Sequence, residues 1–239
     1  MRRRRRMSEH RPVAPPRVSS RTDPAASIAD RFDFWLFDFD GTVVDTEWWY
    51  VESLLEEVSA AVGQPLSPEE SYEFWHGIGG PRTGLLAGWG IDPPAFWAAL
   101  DRIEDPTERA AATYLHDDAE QLITRLQHES VPIGVVTHSP PQLAAAVQSA
   151  LGLEGTFDAF VSCSDTLGWK PDPDPVYHAI EALGVSAADA GVLVGDGDAD
   201  LGAAWSAGLR FIHIDRHGHE RRGHCVLGDH RLRDLTLCL

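Results

Sequence analysis

Short apolar runs recur along the chain and predict the strands of a sheet. They lie at residues 34–37, 133–136, 159–161, 192–194 and 211–214. Because these runs are continuous rather than alternating, they are typical of strands that are covered on both faces. Stretches rich in helix formers separate the later runs, at 142–151, 175–183 and 200–207, and Gly208 is placed to end the last helix. Strands that alternate with helices predict an α/β fold with a parallel sheet and right-handed crossovers.

The gap between the first two predicted strands is too long to be a simple loop. Residues 46–130 contain no clear strand and are rich in helix formers, with apolar side chains at helical spacing near the start. A gap of this length with its own apolar residues predicts an inserted helical subdomain. We therefore expect a core domain made of residues 31–46 and 117–239, with a helical cap at 47–116.

The charge of the chain is divided between a basic N-terminal stretch and an acidic remainder. Residues 1–31 hold nine Arg against three acidic residues, a balance of +6, whereas the whole chain of 239 residues carries −17. The remainder therefore carries −23, which would repel nucleic acid. Because low hydrophobicity with high charge is typical of unfolded segments, we predict a disordered basic leader at residues 1–30 rather than a nucleic-acid or membrane anchor.

Hydropathy and cysteine usage bear on the compartment and the partners. No apolar run reaches the roughly 18 residues that a membrane span requires. The three cysteines show no paired spacing, which suits a reducing compartment. We therefore expect a cytoplasmic protein that is a monomer or weak dimer, with no membrane partner and no nucleic-acid partner.

Two carboxylates, Asp38 and Asp40, stand two residues apart directly after the first predicted strand. Gly41 then ends the strand, so both acids lie at its carboxyl end, the edge at which open α/β sheets bind ligands. Two close acids are costly to hold together unless a cation or a shared proton offsets their charge. The pair therefore indicates a cation-binding or catalytic site, although Asp and Gly are also ordinary turn residues.

Three further polar motifs follow this pair in order along the chain. Thr137 ends the second apolar run, residues 170–173 read KPDP, and residues 194–200 (VGDGDAD) form an acidic loop after a later run. Together with residues 37–42 (FDFDGT), these motifs resemble those of the haloacid dehalogenase-like hydrolases, a family of mostly Mg²⁺-dependent phosphotransferases. The resemblance covers about residues 32–239. It implies a Rossmann-like, doubly wound parallel sheet with an inserted α-helical cap, in the branch of the phosphoglycolate phosphatases and β-phosphoglucomutases.

The resemblance also implies roles for the carboxylates. Asp38 would be the nucleophile that forms an acyl phosphate, and Asp40 the general acid that protonates the leaving alcohol and then activates water. Because the family's dehalogenases lack an acid at the second position, Asp40 favours phosphoryl transfer. The metal would be Mg²⁺, held by Asp38, the backbone carbonyl of Asp40 and Asp196, with Asp200 in support.

Lys170 is the only lysine in a chain with nineteen arginines. This usage indicates a task that a guanidinium cannot perform, since a compact ammonium reaches a crowded carboxylate–phosphate pair as a point charge. The resemblance assigns Lys170 that task beside Asp38. Trp169 stands directly before it, where relatives commonly have Gly, so the loop is expected to differ in shape.

Three other residues are candidates for binding the substrate. By resemblance, Thr137 would hydrogen-bond a phosphoryl oxygen. His138 stands where many relatives have a small residue, and it would donate to the substrate, transfer a proton or contribute only its backbone N–H. Arg82 follows a Gly-rich loop in the predicted cap, where it would hold a substrate anion or be an ordinary surface residue.

These observations predict a Mg²⁺-dependent phosphatase that acts on a small phosphorylated metabolite of the sugar-phosphate or phosphoglycolate type, through an aspartyl-phosphate intermediate. A sugar-phosphate mutase is the first alternative. The mutases that resemble this chain carry His five residues after the position of Asp45, and Tyr50 stands there instead. A catalytically silent binding protein on the same fold is the second alternative, and the presence of every motif acid counts against it.

Overall fold

The computed structural model describes residues 27–216 and 226–239. The leader predicted at residues 1–30 therefore lies outside the described part of the chain, apart from its last four residues. A short 3₁₀ helix, Ala29–Arg31, begins within those four residues and precedes the first strand.

The described residues form eight strands and nine α-helices, which are numbered in chain order. The strands are β1 (Phe34–Phe37), β2 (Val44–Thr46), β3 (Thr113–Leu115), β4 (Ile133–Thr137), β5 (Ala159–Ser162), β6 (Gly191–Gly195), β7 (Arg210–Ile214) and β8 (His230–Leu232). The helices are α1 (Trp48–Ala61), α2 (Pro68–Trp75), α3 (Arg82–Gly88), α4 (Pro93–Ile103), α5 (Pro106–Ala111), α6 (Asp117–His128), α7 (Pro141–Leu151), α8 (Asp174–Leu183) and α9 (Asp198–Ser206).

Six of these strands form one parallel sheet in the order β5-β4-β1-β6-β7-β8. The predicted strands correspond to β1 and β4–β7 within one residue at each end, and the predicted helices to α7–α9 within two. The expected α/β fold with a doubly wound parallel sheet is confirmed. Gly208, at φ 80°, follows the last residue of α9 by two positions, as its predicted helix-ending role requires.

The prediction that residues 46–130 contain no strand is wrong. β3 lies in this gap and pairs antiparallel with β2, with Asp45 opposite Tyr114. A strand of three residues is too short to show a periodicity in the sequence. This two-stranded ribbon brackets α1–α5, because the chain leaves through β2 and returns through β3.

Helices cover both faces of the sheet, and the alternation within β1 shows how. Trp35 and Phe37 point to the face covered by α6 and α7, whereas Phe34 and Leu36 point to the face covered by α8 and α9. All four side chains are fully buried. Burial of one such side chain stabilises the fold by about 1.5–3 kcal/mol. The four side chains of β1 are therefore a central part of the hydrophobic core.

Helices α1–α5, called the inserted helices below, pack around a hydrophobic cluster of their own that includes Leu55, Phe74 and Phe96. Helix α2 begins with a capping box between Ser67 and Glu70. Helix α5 packs against α7 beside the sheet. The exact boundaries of the predicted cap, 47–116, stay a prediction. In the described part of the chain, no helix has the length and apolar character needed to cross a membrane.

We predict that Gly191→Ala destabilises the fold. Gly191 opens β6 directly beside Phe34 of β1, and a Cβ at this position would overlap the Phe34 ring. Because the ring is buried and cannot move away freely, the free energy of unfolding should fall by about 1–3 kcal/mol, measured by urea denaturation.

The matched control is Gly84→Ala in α3, where an added Cβ meets nothing within 4 Å. Alanine is the better helix former, so this variant should unfold at the same or slightly higher urea concentration. Equal stability of the two variants would contradict the close approach of β1 and β6.

Candidate active site

The carboxyl ends of three neighbouring strands meet at one edge of the sheet. Thr137 is the last residue of β4, Asp38 follows β1, and Asp196 follows β6. The loop after β1 turns at Gly41, whose φ is 78°. A Cβ on Gly41 would stand 3.0 Å from Asp196 Oδ2, so glycine lets the two loops approach each other.

Three carboxylates form a cluster at this edge. One oxygen from each of Asp38, Asp196 and Asp200 lies within 4.8 Å of the others. Asp200 stands in the first turn of α9 and packs against Gly195. A Cβ added at Gly195 would lie only 2.5 Å from the Cβ of Asp200, so a glycine is needed for this contact. Behind the cluster, Nε2 of the buried His213 lies 3.1 Å from the backbone oxygen of Asp196. The loop after β6 is therefore fixed from both sides.

Lys170 is the cation in this cluster. Its Nζ lies 2.7 Å from Asp38 Oδ1 and 2.7 Å from Asp200 Oδ1, and it donates to the backbone oxygen of Val136 at 2.8 Å. Burial alone would lower the pKa of Lys170, but the carboxylates of Asp200 and Asp38 outweigh it and raise the pKa. Burial, and then the charge of Asp200, raise the pKa of Asp38 well above its usual value. The ammonium therefore stays charged.

One ammonium does not balance three clustered carboxylates. The remaining negative charge and the hard oxygen donors are the conditions that a divalent cation satisfies, so Asp38, Asp196 and Asp200 fit a metal ion.

Asp40 faces the cavity from the other side of the loop and has two tight partners. Its Oδ2 accepts a hydrogen bond from Ser139 Oγ at 2.6 Å, and its Oδ1 lies 2.6 Å from Arg109 Nη2. Arg109 is itself held, since its Nη1 lies 3.3 Å from Glu104 Oε1 and its guanidinium stands 4.6 Å from the centroid of the Trp75 ring. A chain of charged groups thus links the inserted helices to the edge of the sheet.

Sequence reasoning missed Arg109, Glu104 and Ser139. Ser139 carried a signal, because it lies two residues after Thr137 in a loop that was already expected at the site. Arg109 and Glu104 carried no such signal in the sequence, since they flank the start of α5 in a segment without a recognisable motif. Only the folded arrangement of α4 and α5 brings them to Asp40.

Thr137 and His138 lie beside the carboxylates. The Thr137 hydroxyl accepts a hydrogen bond from the Ser139 N–H at 3.0 Å and keeps its own proton to donate. Burial, and then the charge of Lys170, lower the pKa of His138 to about 3, so the imidazole is neutral near pH 7. Among the described residues, the buried His138 Nε2 has no hydrogen-bond partner. A neutral ring favours a hydrogen-bonding role over proton transfer, while the choice stays open.

Arg82 uses two of its donors within the inserted helices. Its Nε donates to the backbone oxygen of Phe74 at 2.9 Å, and its Nη2 donates to that of Trp75 at 2.7 Å. These oxygens belong to the last turn of α2, so Arg82 caps the C-terminus of that helix. Its predicted role as a ligand of a substrate anion stays a prediction.

A cavity of about 750 Å³ lies between the edge of the sheet and the inserted helices. Every residue predicted for the site lines this cavity, namely Asp38, Asp40, Arg82, Thr137, His138, Lys170, Asp196 and Asp200. The geometry therefore gathers a carboxylate with a lysine, a second carboxylate with a hydroxyl donor, and a three-carboxylate cluster into one cavity. Such a set suits nucleophilic attack on a phosphate ester.

Comparison with known proteins agrees with this chemistry. The family model described as haloacid dehalogenase-like hydrolase matches residues 35–214, from β1 to the end of β7. "Putative pyrophosphatase PpaX" of Caldanaerobacter subterraneus subsp. tengcongensis is 30% identical over 179 residues, which cover 75% of this chain and 80% of that protein. The plasmid-borne phosphoglycolate phosphatase of Cupriavidus necator is 30% identical over 196 residues, which cover 79% of this chain and 82% of that protein.

A solved structure shows the same fold. A haloacid dehalogenase-like family protein from Streptococcus pneumoniae superposes with a TM-score of 0.69 at 18% identity, covering 85% of this chain and 96% of that one. Since the family model spans the sheet from its central strand to β7, and the curated relatives are named as phosphatases, the chain belongs to the haloacid dehalogenase-like hydrolases and is a phosphatase.

Proposed function

We propose that this phosphatase is Mg²⁺-dependent and hydrolyses a small phosphate monoester through an aspartyl-phosphate intermediate. The observation that carries the proposal is the position of Asp38. It lies in the cavity within the carboxylate cluster, and the ammonium of Lys170 holds one of its oxygens at 2.7 Å. A nucleophile that is held in place by a fixed cation is prepared for in-line attack on phosphorus.

Asp38, Asp196 and Asp200, together with the backbone carbonyl of Asp40, would hold the Mg²⁺. The three carboxylates fit such an ion because they supply hard oxygen donors in excess over the single ammonium of Lys170. When bound, the ion neutralises charge on the phosphoryl oxygens, so that an anionic nucleophile approaches an anionic ester.

The chain's own residues then perform two displacements. In the first, a carboxylate oxygen of Asp38 forms a bond to phosphorus while the ester P–O bond breaks, and Asp40 gives its proton to the departing oxygen. In the second, water attacks the phosphorus of the aspartyl phosphate while the bond between phosphorus and the Asp38 oxygen breaks, which releases the carboxylate, and Asp40 takes a proton from that water. Lys170 and the Thr137 hydroxyl stabilise the charge on the transferring group.

The inserted helices would act as a cap over this reaction. Arg109 of α5 reaches Asp40 at the edge of the sheet, so the inserted helices contact the acid–base group directly. Closure of such a cap excludes water and completes the set of charged groups. The Asp40 side chain keeps 32% of its surface exposed, and a leaving group in the cavity therefore reaches it.

The structure offers nothing that favours a mutase. Tyr50 stands where the resembling mutases carry His, and it is buried in the hydrophobic cluster of the inserted helices. It is not among the residues that line the cavity. The expected sugar-phosphate or phosphoglycolate class of substrate stays a prediction at this point.

We predict that Asp38→Asn abolishes phosphate release. The amide is similar in size but is not a nucleophile, so kcat for 4-nitrophenyl phosphate with Mg²⁺ should fall by about 10³-fold or more. In the wild type, acid-quenched peptide mass spectrometry should find a phosphoryl group on the peptide that contains Asp38. The control is Asp101→Asn, an exposed position on α4, which should keep full activity. An active Asp38→Asn enzyme would refute the proposal.

We predict that the effect of Asp40→Asn depends on the leaving group. An alkoxide needs a proton as it departs, so the first turnover of an alkyl phosphate should slow by about 10²–10⁴-fold. 4-Nitrophenolate departs without a proton, and the first turnover of its ester should slow far less. Stopped-flow measurement of both first turnovers separates this role from the later activation of water. Equal slowing of both esters would assign Asp40 a purely structural role.

We predict that removal of the metal abolishes activity and that Asp196→Asn weakens metal binding. Loss of one carboxylate ligand should raise the Mg²⁺ concentration for half-maximal activity, and the dissociation constant from calorimetry, by about tenfold or more. Asp198→Asn is the matched control in the same loop, because Asp198 lies outside the three-carboxylate cluster. Its Mg²⁺ requirement should stay close to that of the wild type. Full activity after exhaustive chelation would be incompatible with the proposed metal.

A further inference from the structure

Besides the carboxylates, the cavity has a largely aromatic and apolar part of its lining, called the apolar wall below. Phe74 and Trp75 come from α2, Trp97 and Leu100 from α4, and Trp169 from the loop before α8. The cavity of about 750 Å³ falls in the range of sites that enclose drug-sized ligands, about 300–1,000 Å³. A two-carbon acid ester would leave most of this apolar wall exposed to water.

Among the aromatic residues of the apolar wall, Trp169 is the nearest along the chain to a reacting group. It directly precedes Lys170, so its Cα lies about 3.8 Å from that of the lysine. Its indole Nε1 donates to Asp165 Oδ1 at 3.0 Å, and its ring stands edge-on to His138 with 5.6 Å between ring centroids. Despite these two contacts, 45% of Trp169 remains exposed. A positioned, half-exposed indole that lines a cavity is a surface on which a ligand ring can stack.

The charges of the cavity disfavour a second anionic group on the substrate. Among the described residues, seven carboxylates line it, against three side chains of Lys and Arg. Two carboxylates already bind Lys170, two others bind Arg109, and two donors of Arg82 are used by backbone oxygens. Mg²⁺ and Lys170 offset the charge of one phosphate. A carboxylate or second phosphate would therefore meet a net negative surface.

We propose that the substrate is the phosphate monoester of a neutral alcohol that carries an aromatic ring, and that Trp169 stacks on this ring. The inference rests on the proposed phosphatase function and narrows its substrate class. The substrate proposed for this chain thus differs from pyrophosphate and phosphoglycolate, the anionic substrates that the names of two relatives give.

Three esters of aliphatic alcohols test the proposal with the full-length, Mg²⁺-loaded enzyme: benzyl phosphate, n-propyl phosphate and 2-phosphoglycolate. We expect kcat/KM for benzyl phosphate to exceed that for n-propyl phosphate by about tenfold, since stacking and burial act only on the ring. 2-Phosphoglycolate should be the poorest of the three. Faster turnover of 2-phosphoglycolate than of benzyl phosphate would overturn the inference and leave the proposed function intact, whereas no hydrolysis of any ester would contradict both.

Variants of Trp169 test the stacking itself. Trp169→Ala should lower kcat/KM for benzyl phosphate by about tenfold, chiefly through KM, and leave n-propyl phosphate within about twofold. Trp169→Phe should restore most of the preference for the ring, although it lacks the hydrogen bond to Asp165. An equal loss for benzyl and n-propyl phosphate would show that Trp169 merely shapes the loop of Lys170, and would refute the stacking role.

Trp205→Ala is the matched control. Trp205 of α9 is 49% exposed, and its Nε1 also donates to an aspartate, Asp229 Oδ2, at 3.4 Å. It does not line the cavity. Its replacement should leave kcat/KM for all three esters unchanged, and a change in the benzyl preference would mean that the loss of any exposed indole produces the effect.

Discussion

The site depends on the repulsion among carboxylates that the fold gathers at one edge of the sheet. Asp38, Asp196 and Asp200 stand within 4.8 Å of one another around the ammonium of Lys170. Two of these carboxylates and a backbone oxygen bind the ammonium, which is almost completely buried. Removing it would leave unpaired charges at the end of the central strands, a large cost in a partly desolvated site. A lysine suits this place because its compact ammonium can bind three oxygens at once.

The inserted helices add a second charged link, which couples the two sides of the cavity. Arg109 joins Asp40 to Glu104, and both the arginine and Glu104 are nearly buried. Solvent and salt screen a partly buried ion pair less than a pair on the surface. The Arg109 link therefore contributes to holding the inserted helices over the sheet. The proposed acid–base group, Asp40, is also the group that the inserted helices contact. In the proposed mechanism, closure and acid–base chemistry would therefore depend on the same residue.

The sequence allowed the sheet to be predicted because buried parallel strands are continuous apolar runs. The acids after β1 were placed at the candidate site by the rule that ligands bind at the carboxyl ends of strands, whereas Asp196 was placed there by the resemblance to the family's motifs. Arg109 and Glu104 left no such signal, since their meeting with Asp40 depends on how α4 and α5 pack. β2 and β3 were not predicted, because strands of three residues are too short to show a periodic pattern of apolar and polar residues. The capping of α2 by Arg82 is likewise a tertiary contact.

In the proposed function, the reacting groups and most of the residues that would contact the leaving group lie on different parts of this chain. The reacting groups follow the strands of the sheet, where the backbone geometry fixes them. The apolar wall comes mainly from α2 and α4, which pack around a hydrophobic cluster separate from those of the sheet. Trp169 is the exception, because it directly precedes Lys170. In the proposed substrate class, an indole at this position would place the binding of the leaving group next to the nucleophile, so that binding energy would help to orient the reacting bond.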